Sequence, residues 1–227
     1  MHRLIFIITL LAFVNSSANS ADTKGSTMPA SIVEIEKKYS ASKSMSASFD
    51  QTKTIKAFKL KKSSQGVVFI DRPDKIRWEH SAPDKTIMVG DGNIIKVYTP
   101  PFDKDDRGQL IIEKASRIHS SIIRDLLSGA FSLIKGVEVK QIEPNVYELT
   151  PRNPKKSFDG VAKAHIVIDT IKSEIRNVAL FHVGGNLTEI TFKDVKLGEK
   201  LKAGLFDISP PKDNTDITDR VTESSKK

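Results

Sequence analysis

Residues 66–100 read GVVFIDRPDKIRWEHSAPDKTIMVGDGNIIKVYTP, and this stretch decides the fold class. Its apolar residues come in short segments: Gln65 to Ile70, Lys75 to His80, Thr86 to Val89 and Ile94 to Tyr98. Arg72-Pro73-Asp74 and Asp91-Gly92-Asn93 punctuate them, and both carry turn chemistry. Segments this short, joined this tightly, leave no room for the helix that a parallel crossover needs. The pattern predicts successive antiparallel strands.

The same reading extends in both directions. Met45, Ala47 and Phe49 alternate with Ser46, Ser48 and Asp50, as in a half-buried strand. Further strands are expected at Thr54 to Lys61, Val137 to Ile142, Val146 to Thr150, Ala164 to Ile168, Ile175 to Phe181 and Leu187 to Val195. Helical spacing interrupts the series twice. Pro29 to Tyr39 places Ile32, Val33, Ile35 and Tyr39 near one face, with Pro29 suited to the first turn. Ile118 to Ile134 repeats apolar residues at Ile122, Ile123, Leu126 and Leu127, and Gly129 either separates two helical turns or ends the first helix. The expected fold is a strongly bent antiparallel sheet with a helix before it and one or two inserted midway.

The N-terminus has the layout of a secretory signal peptide. Met1-His2-Arg3 is basic, Leu4 to Val14 is an unbroken apolar run, and small polar residues follow. The run is about half the length of a membrane span, and cleavage is expected after Ala18 or Ser20. The expected organisation is a signal peptide over residues 1–20, one domain over 21–211, and a polar, solvated tail over 212–227. Export follows, and with it nucleic acid is excluded as a partner despite the net charge of +8.

Composition removes several chemistries. The 227 residues contain no Cys, which excludes disulfides, thiolate metal sites, a Cys nucleophile and lipid attachment at a lipobox Cys. His80, His119, His165 and His182 are scattered without metal-ligand spacing and read as structural. Asp103, Asp105 and Asp106 lack the acidic twelfth position of a calcium loop, which falls on Lys114. No nucleophile elbow is present, so an exported lipid hydrolase is disfavoured, and no cofactor or metal is expected. Lys53, Lys56, Lys59, Lys61 and Lys62 read either as a solvated sheet edge that resists aggregation or as a surface steering the chain to acidic membranes or partners.

The block from Gly66 to Pro100 resembles the LolA-type periplasmic lipoprotein carriers through Arg72, Pro73, Trp78, Pro83, Asp91, Gly92, Tyr98 and Pro100. Ser46 to Gln51 upstream and Phe206 to Pro211 at the end extend the likeness over nearly the whole exported chain. The resemblance implies a mainly β (α+β) fold, an incomplete, strongly curved antiparallel β-barrel covered by a lid of short α-helices. It implies a monomeric, non-enzymatic chaperone that takes acylated lipoproteins from an inner-membrane ABC-type release complex and delivers them to an outer-membrane LolB-type acceptor. That acceptor is itself a lipoprotein, so the lack of Cys favours the soluble carrier. Arg72 would be the lid latch, bonding to lid-helix backbone. Strand parity puts Ile76 and Trp78 on its side of the sheet, and these with Phe49 are expected to line the acyl cavity. Ile32, Val33, Ile35, Ile122, Ile123, Leu126 and Leu127 are expected on the lid. Lys96 stands where carriers usually have an aromatic or apolar residue, and aromatics total 7%. Both departures keep open a carrier or sensor of another lipid or glycolipid.

Overall fold

The computed structural model describes residues 28–115, 121–129, 136–153, 155–158 and 160–223. The expected signal peptide, the ends of the midway helical stretch at 118–120 and 131–134, and the last four residues lie outside these. The first half of the chain contributes helix α1 (Ala30–Ser40) and strands β1 (Ser44–Ile55), β2 (Leu60–Asp71), β3 (Lys75–Ala82), β4 (Thr86–Gly90), β5 (Ile94–Thr99) and β6 (Gly108–Lys114). Helix α2 (Ser121–Ser128) follows, then β7 (Val137–Glu143), β8 (Val146–Pro151), β9 (Val161–Asp169), β10 (Glu174–His182), β11 (Leu187–Leu197), β12 (Thr215–Asp219) and α3 (Arg220–Glu223).

The strands form one twelve-stranded sheet in the order β12-β6-β5-β4-β3-β2-β1-β11-β10-β9-β8-β7. Each pair is antiparallel except β12 with β6. Because β12 and β7 end the order without pairing to each other, the barrel is incomplete. Register shifts at Ser46/Ser48, Gln65/Gly66 and Ile175/Asn177 bend the strands that carry them. The concave face collects the alternate apolar residues into one core with α1 and α2, including Phe49, Val68, Trp78, Leu149, Ile166, Val178 and Phe192.

One close approach depends on a missing side chain. A Cβ on Gly66 would lie 1.8 Å from the Glu79 carbonyl oxygen and 2.8 Å from the Phe49 ring. Gly66 pairs with Phe49 on one side and His80 on the other, so its absent side chain leaves the space the Phe49 ring occupies.

Two expectations are corrected, and one further strand appears. The strand expected at Thr54 to Lys61 is instead the end of a hairpin: β1 runs on to Ile55, Lys56–Phe58 make a 3-10 turn, and Lys59 turns the chain at φ 50°. Strand β6 was not expected, because Gly108-Gln109-Leu110 follows a charged loop and only Leu110 to Ile112 is apolar. The polar tail expected from residue 212 is ordered where it is described. Thr215–Asp219 pairs in parallel with Gly108–Ile112, an open sheet edge that supplies the backbone partners its composition does not predict. Arg107 bonds Asp216 at 2.7 Å and the Asp213 carbonyl at 3.1 Å, and Arg220 reaches Glu113 at 3.3 Å.

Candidate functional site: a lidded apolar cavity

The concave face encloses a cavity of about 330 Å³. Its wall is built by strand alternation. Ile76, Trp78 and His80 project from β3, Thr86 and Met88 from β4, Ile95 and Val97 from β5, Leu180 and His182 from β10, and Thr188 and Ile190 from β11. Ile123 of α2 closes it from the helix side. The volume is at the low end of the range for small-molecule pockets.

The walls are braced by ring contacts. Phe49 lies behind Trp78 with centroids 4.4 Å apart, and Phe192 meets the other side of the indole at 6.3 Å. The Trp78 indole N–H donates to His80 Nε2 at 3.2 Å. An indole can only donate, so Nε2 is the acceptor and the His80 proton sits on Nδ1. That Nδ1 is buried with no hydrogen-bond partner among the described residues. Burial, helped by the Lys53 charge, holds the His80 imidazole below its ordinary value, and the same causes lower His182. Both rings are therefore neutral at pH 7. They form, with Gln51, Lys53, Thr86 and Thr188, a polar rim around one end of the chamber, whose remaining lining is apolar or glycine apart from Asp74.

Arg72 lies where β2 turns into β3, and its guanidinium ties the helices to the sheet. Nε donates to the Ser128 carbonyl, Nη2 to the Leu127 carbonyl and Nη1 to the Ser42 carbonyl, each at 2.9 Å. Two of these acceptors are end-of-helix carbonyls of α2 that have no intrahelical partner. The third follows α1, so one side chain spans both helices. Burial pulls the Arg72 guanidinium below its ordinary value, with the nearby Tyr39 opposing the shift.

Helix α1 is held differently. The Ile175 N–H donates to the Tyr39 hydroxyl at 3.1 Å, Ser31 Oγ and the Tyr147 hydroxyl are 2.5 Å apart, and Lys38 pairs with Glu174 at 3.2 Å. Burial pushes the Tyr39 phenol up to about 12, so it stays a neutral hydroxyl. Thus α1 is fastened to β8 and β10 by its own side chains. Helix α2 is tied to Arg72 through its last carbonyls and buries the face of Ile122, Ile123, Leu126 and Leu127.

Of the residues expected around the cavity, Ile76, Trp78 and Ile123 line it. Phe49, Ile32, Ile35, Ile122, Leu126 and Leu127 are buried in the adjoining core. Val33 is corrected: it is 47% exposed. A helix turns about 100° per residue, and Ile32, Ile35 and Tyr39 already share the buried stripe, so Val33 projects away from it. Lys96 alternates with the lining residues Ile95 and Val97, which directs it to the other face of β5. Sequence reading missed the polar rim, though His80 shares Trp78's parity and could have been placed from it.

These features define an open-barrel protein with a latched apolar cavity. The family profile described as outer membrane lipoprotein carrier protein LolA matches residues 40–209, and the chain belongs to that family. It is 28% identical over 170 residues to an outer-membrane lipoprotein carrier protein of Dechloromonas aromatica, covering 74% of this chain and 78% of that one. A carrier protein of the same description from Legionella pneumophila strain Lens is 25% identical over 93% of this chain and 96% of its own. Among solved structures, a LolA superfamily protein from Nitrosomonas europaea aligns at a TM-score of 0.41 and 10% identity, over 78% of this chain and 97% of that one.

Proposed function

We propose that this protein is a periplasmic, non-catalytic carrier that shelters the acyl chains of lipoproteins released from the inner membrane by an ABC-type complex and delivers them to an outer-membrane acceptor. The observation that carries this reading is the pairing of an apolar cavity with a helix held shut by a three-way Arg72 contact. Each methylene left in water costs about 0.8 kcal/mol, so an acyl chain of roughly sixteen carbons costs on the order of 12 kcal/mol. A carrier must offset most of that and still release without nucleotide. A closed resting state does this, because breaking the Arg72 contacts weakens net affinity and favours onward transfer. On this reading α2, whose last carbonyls Arg72 holds, is the lid that moves.

The leader over residues 1–20 supports export, and the family supports lipoproteins as cargo. A second reading, carriage of a different acyl lipid, is favoured by the polar rim of Lys53, His80 and His182, which suits a ligand with hydrogen-bonding oxygens. Mass spectrometry of what co-purifies from the native periplasm separates the two. Intact acylated lipoproteins support the first reading, whereas a stoichiometric free lipid with no lipoprotein would overturn it.

A further inference from the structure

The lysine-rich stretch singled out in the sequence is the projecting tip of a hairpin. Strands β1 and β2 lie in the middle of the sheet, but β2 runs past β3, which pairs with it only from Gln65. Their hairpin pairs Ile55 with Leu60, Thr54 with Lys61 and Lys53 with Lys62. Two lysines directly opposite each other repel, so this charge does not serve the hairpin's own stability. All five lysines are exposed, and none makes an ion pair with a described residue.

Apolar residues stand exposed among them. Phe58 at the tip is 78% exposed and Leu60 42%. The β10–β11 turn adds Val183 at 68% and is joined to the hairpin, since the Lys56 N–H donates to Asn186 Oδ1 at 3.1 Å and the Lys56 side chain lies against Gly185. Residues 51–70 and 181–188 contain no Asp or Glu. The two tips therefore make one surface, uniformly basic and crowned by Phe58. Directly behind it lies the polar rim of the cavity, to which Lys53, His182 and Thr188 belong.

We propose that this double tip docks on an anionic lipid bilayer and sets the cavity mouth against the membrane. Unpaired lysines match the negative surface, and a protruding Phe beside Leu and Val fits the boundary between headgroups and acyl chains. Docked in this way, the Lys53–His182 end of the cavity faces the bilayer, and an acyl chain entering there passes between the two without crossing water. The docking surface adjoins the cavity at Lys53 and is independent of which acyl cargo the cavity takes.

The test is flotation of the purified protein with vesicles of phosphatidylglycerol and phosphatidylcholine in equal parts, against phosphatidylcholine alone, at about 0.1 M salt. Binding to the anionic vesicles only is expected. Each lysine near such a surface contributes about fivefold in affinity, so Lys59→Glu with Lys61→Glu is expected to lower it by about 25-fold or more. Phe58→Ser is expected to lower it by about tenfold, and Phe58→Trp to show blue-shifted emission with anionic vesicles beyond the change seen in the parent. Uptake of a fluorescent fatty-acyl probe should be unchanged in these variants, which shows them folded. Absence of binding to anionic vesicles, equal binding by the lysine variant, or docking only on an acidic protein would each overturn the proposal. Vesicle binding without probe uptake would instead sink the carrier reading and leave the docking surface standing.

Discussion

Tyr39 of α1 and Gly129 at the end of α2 meet so closely that a Cβ on Gly129 would lie 2.6 Å from the Cβ of Tyr39. Gly129 also has φ +76°, a conformation that favours glycine. The residue is thus required twice, to end α2 and to let the two helices touch. Gly129→Ala is expected to cost about 2–4 kcal/mol, the sum of a left-handed backbone and an overpacked contact. Gly136 provides the control, since it has the same φ but nothing within 4 Å of its missing Cβ. Gly136→Ala should cost only about 1 kcal/mol. Urea midpoints of the two variants measure the difference, and equal losses would show that the helix contact contributes nothing.

Arg72 is the second constraint on α2. Arg72→Leu removes three hydrogen bonds to carbonyls, and Arg72→Lys cannot restore the planar geometry that reaches all three. If these bonds hold the lid shut, both variants should show faster deuterium exchange in α2 than in α1. They should also bind an acyl probe about tenfold more tightly and pass it on more slowly, because ligand entry no longer opposes the closed state. Trp78 is the sole tryptophan and lines the cavity, so its emission reads occupancy directly. Unchanged affinity together with unchanged transfer would remove Arg72 from the latch role.

Stability should fall as pH drops below neutrality. Folding lowers the His80 and His182 values beneath that of a free imidazole, about 6.5. Between that value and the lower folded ones the unfolded chain binds more protons, so the native state loses stability as pH falls through this window. The Glu148 carboxylate, held low by hydrogen bonds from Lys163 and His165, adds a loss only in the more acid carboxylate range. Thermal melts at pH 7.5 and pH 5 should differ, and His80→Gln should shrink the difference. An unaltered pH slope in that variant would show that His80 is not its source.

The C-terminal strand predicts a cost for trimming the chain. Ending it after Pro211 removes β12, the Arg107–Asp216 ion pair and the bond from the Gly108 N–H to the Asn214 carbonyl. The β6 edge would then present free backbone groups, a template for self-association. The truncated protein should melt lower and elute partly as higher species in size-exclusion chromatography. A monomeric profile with an unchanged melt would show β12 to be dispensable.

How much of this was legible beforehand follows from which forces each element uses. Strands such as Lys75–Ala82 announce themselves because alternate residues are buried, Ile76 and Trp78 inward and Lys75 and Arg77 outward. Helix α1 was placed within a residue, but Val33 was assigned to the wrong face because four apolar residues crowd a stripe that three of them fill. Strand β12 was invisible for the opposite reason: Thr215 is its one buried residue, and backbone pairing to β6 rather than side-chain burial holds it. Arg72 could be named from its motif, yet its three acceptors are backbone oxygens from distant segments, which no local pattern encodes. The polar rim was hidden because His80 and His182 lie 102 positions apart and are brought to one end of the cavity by the β1–β11 seam.

That seam has a consequence for the life of the nascent chain. Strand β1 pairs with β11, with Met45 opposite Leu197, so the middle of the sheet is its most distant pairing in sequence. Contacts of such long range are slow to form. One side of the cavity wall, Leu180, His182, Thr188 and Ile190, comes from the late strands. Until the late strands arrive, the early hairpins must wait with Phe49 and Trp78 uncovered. The chamber comes into being only when β11 is in place, and until then the future carrier needs the same protection from water that it later gives.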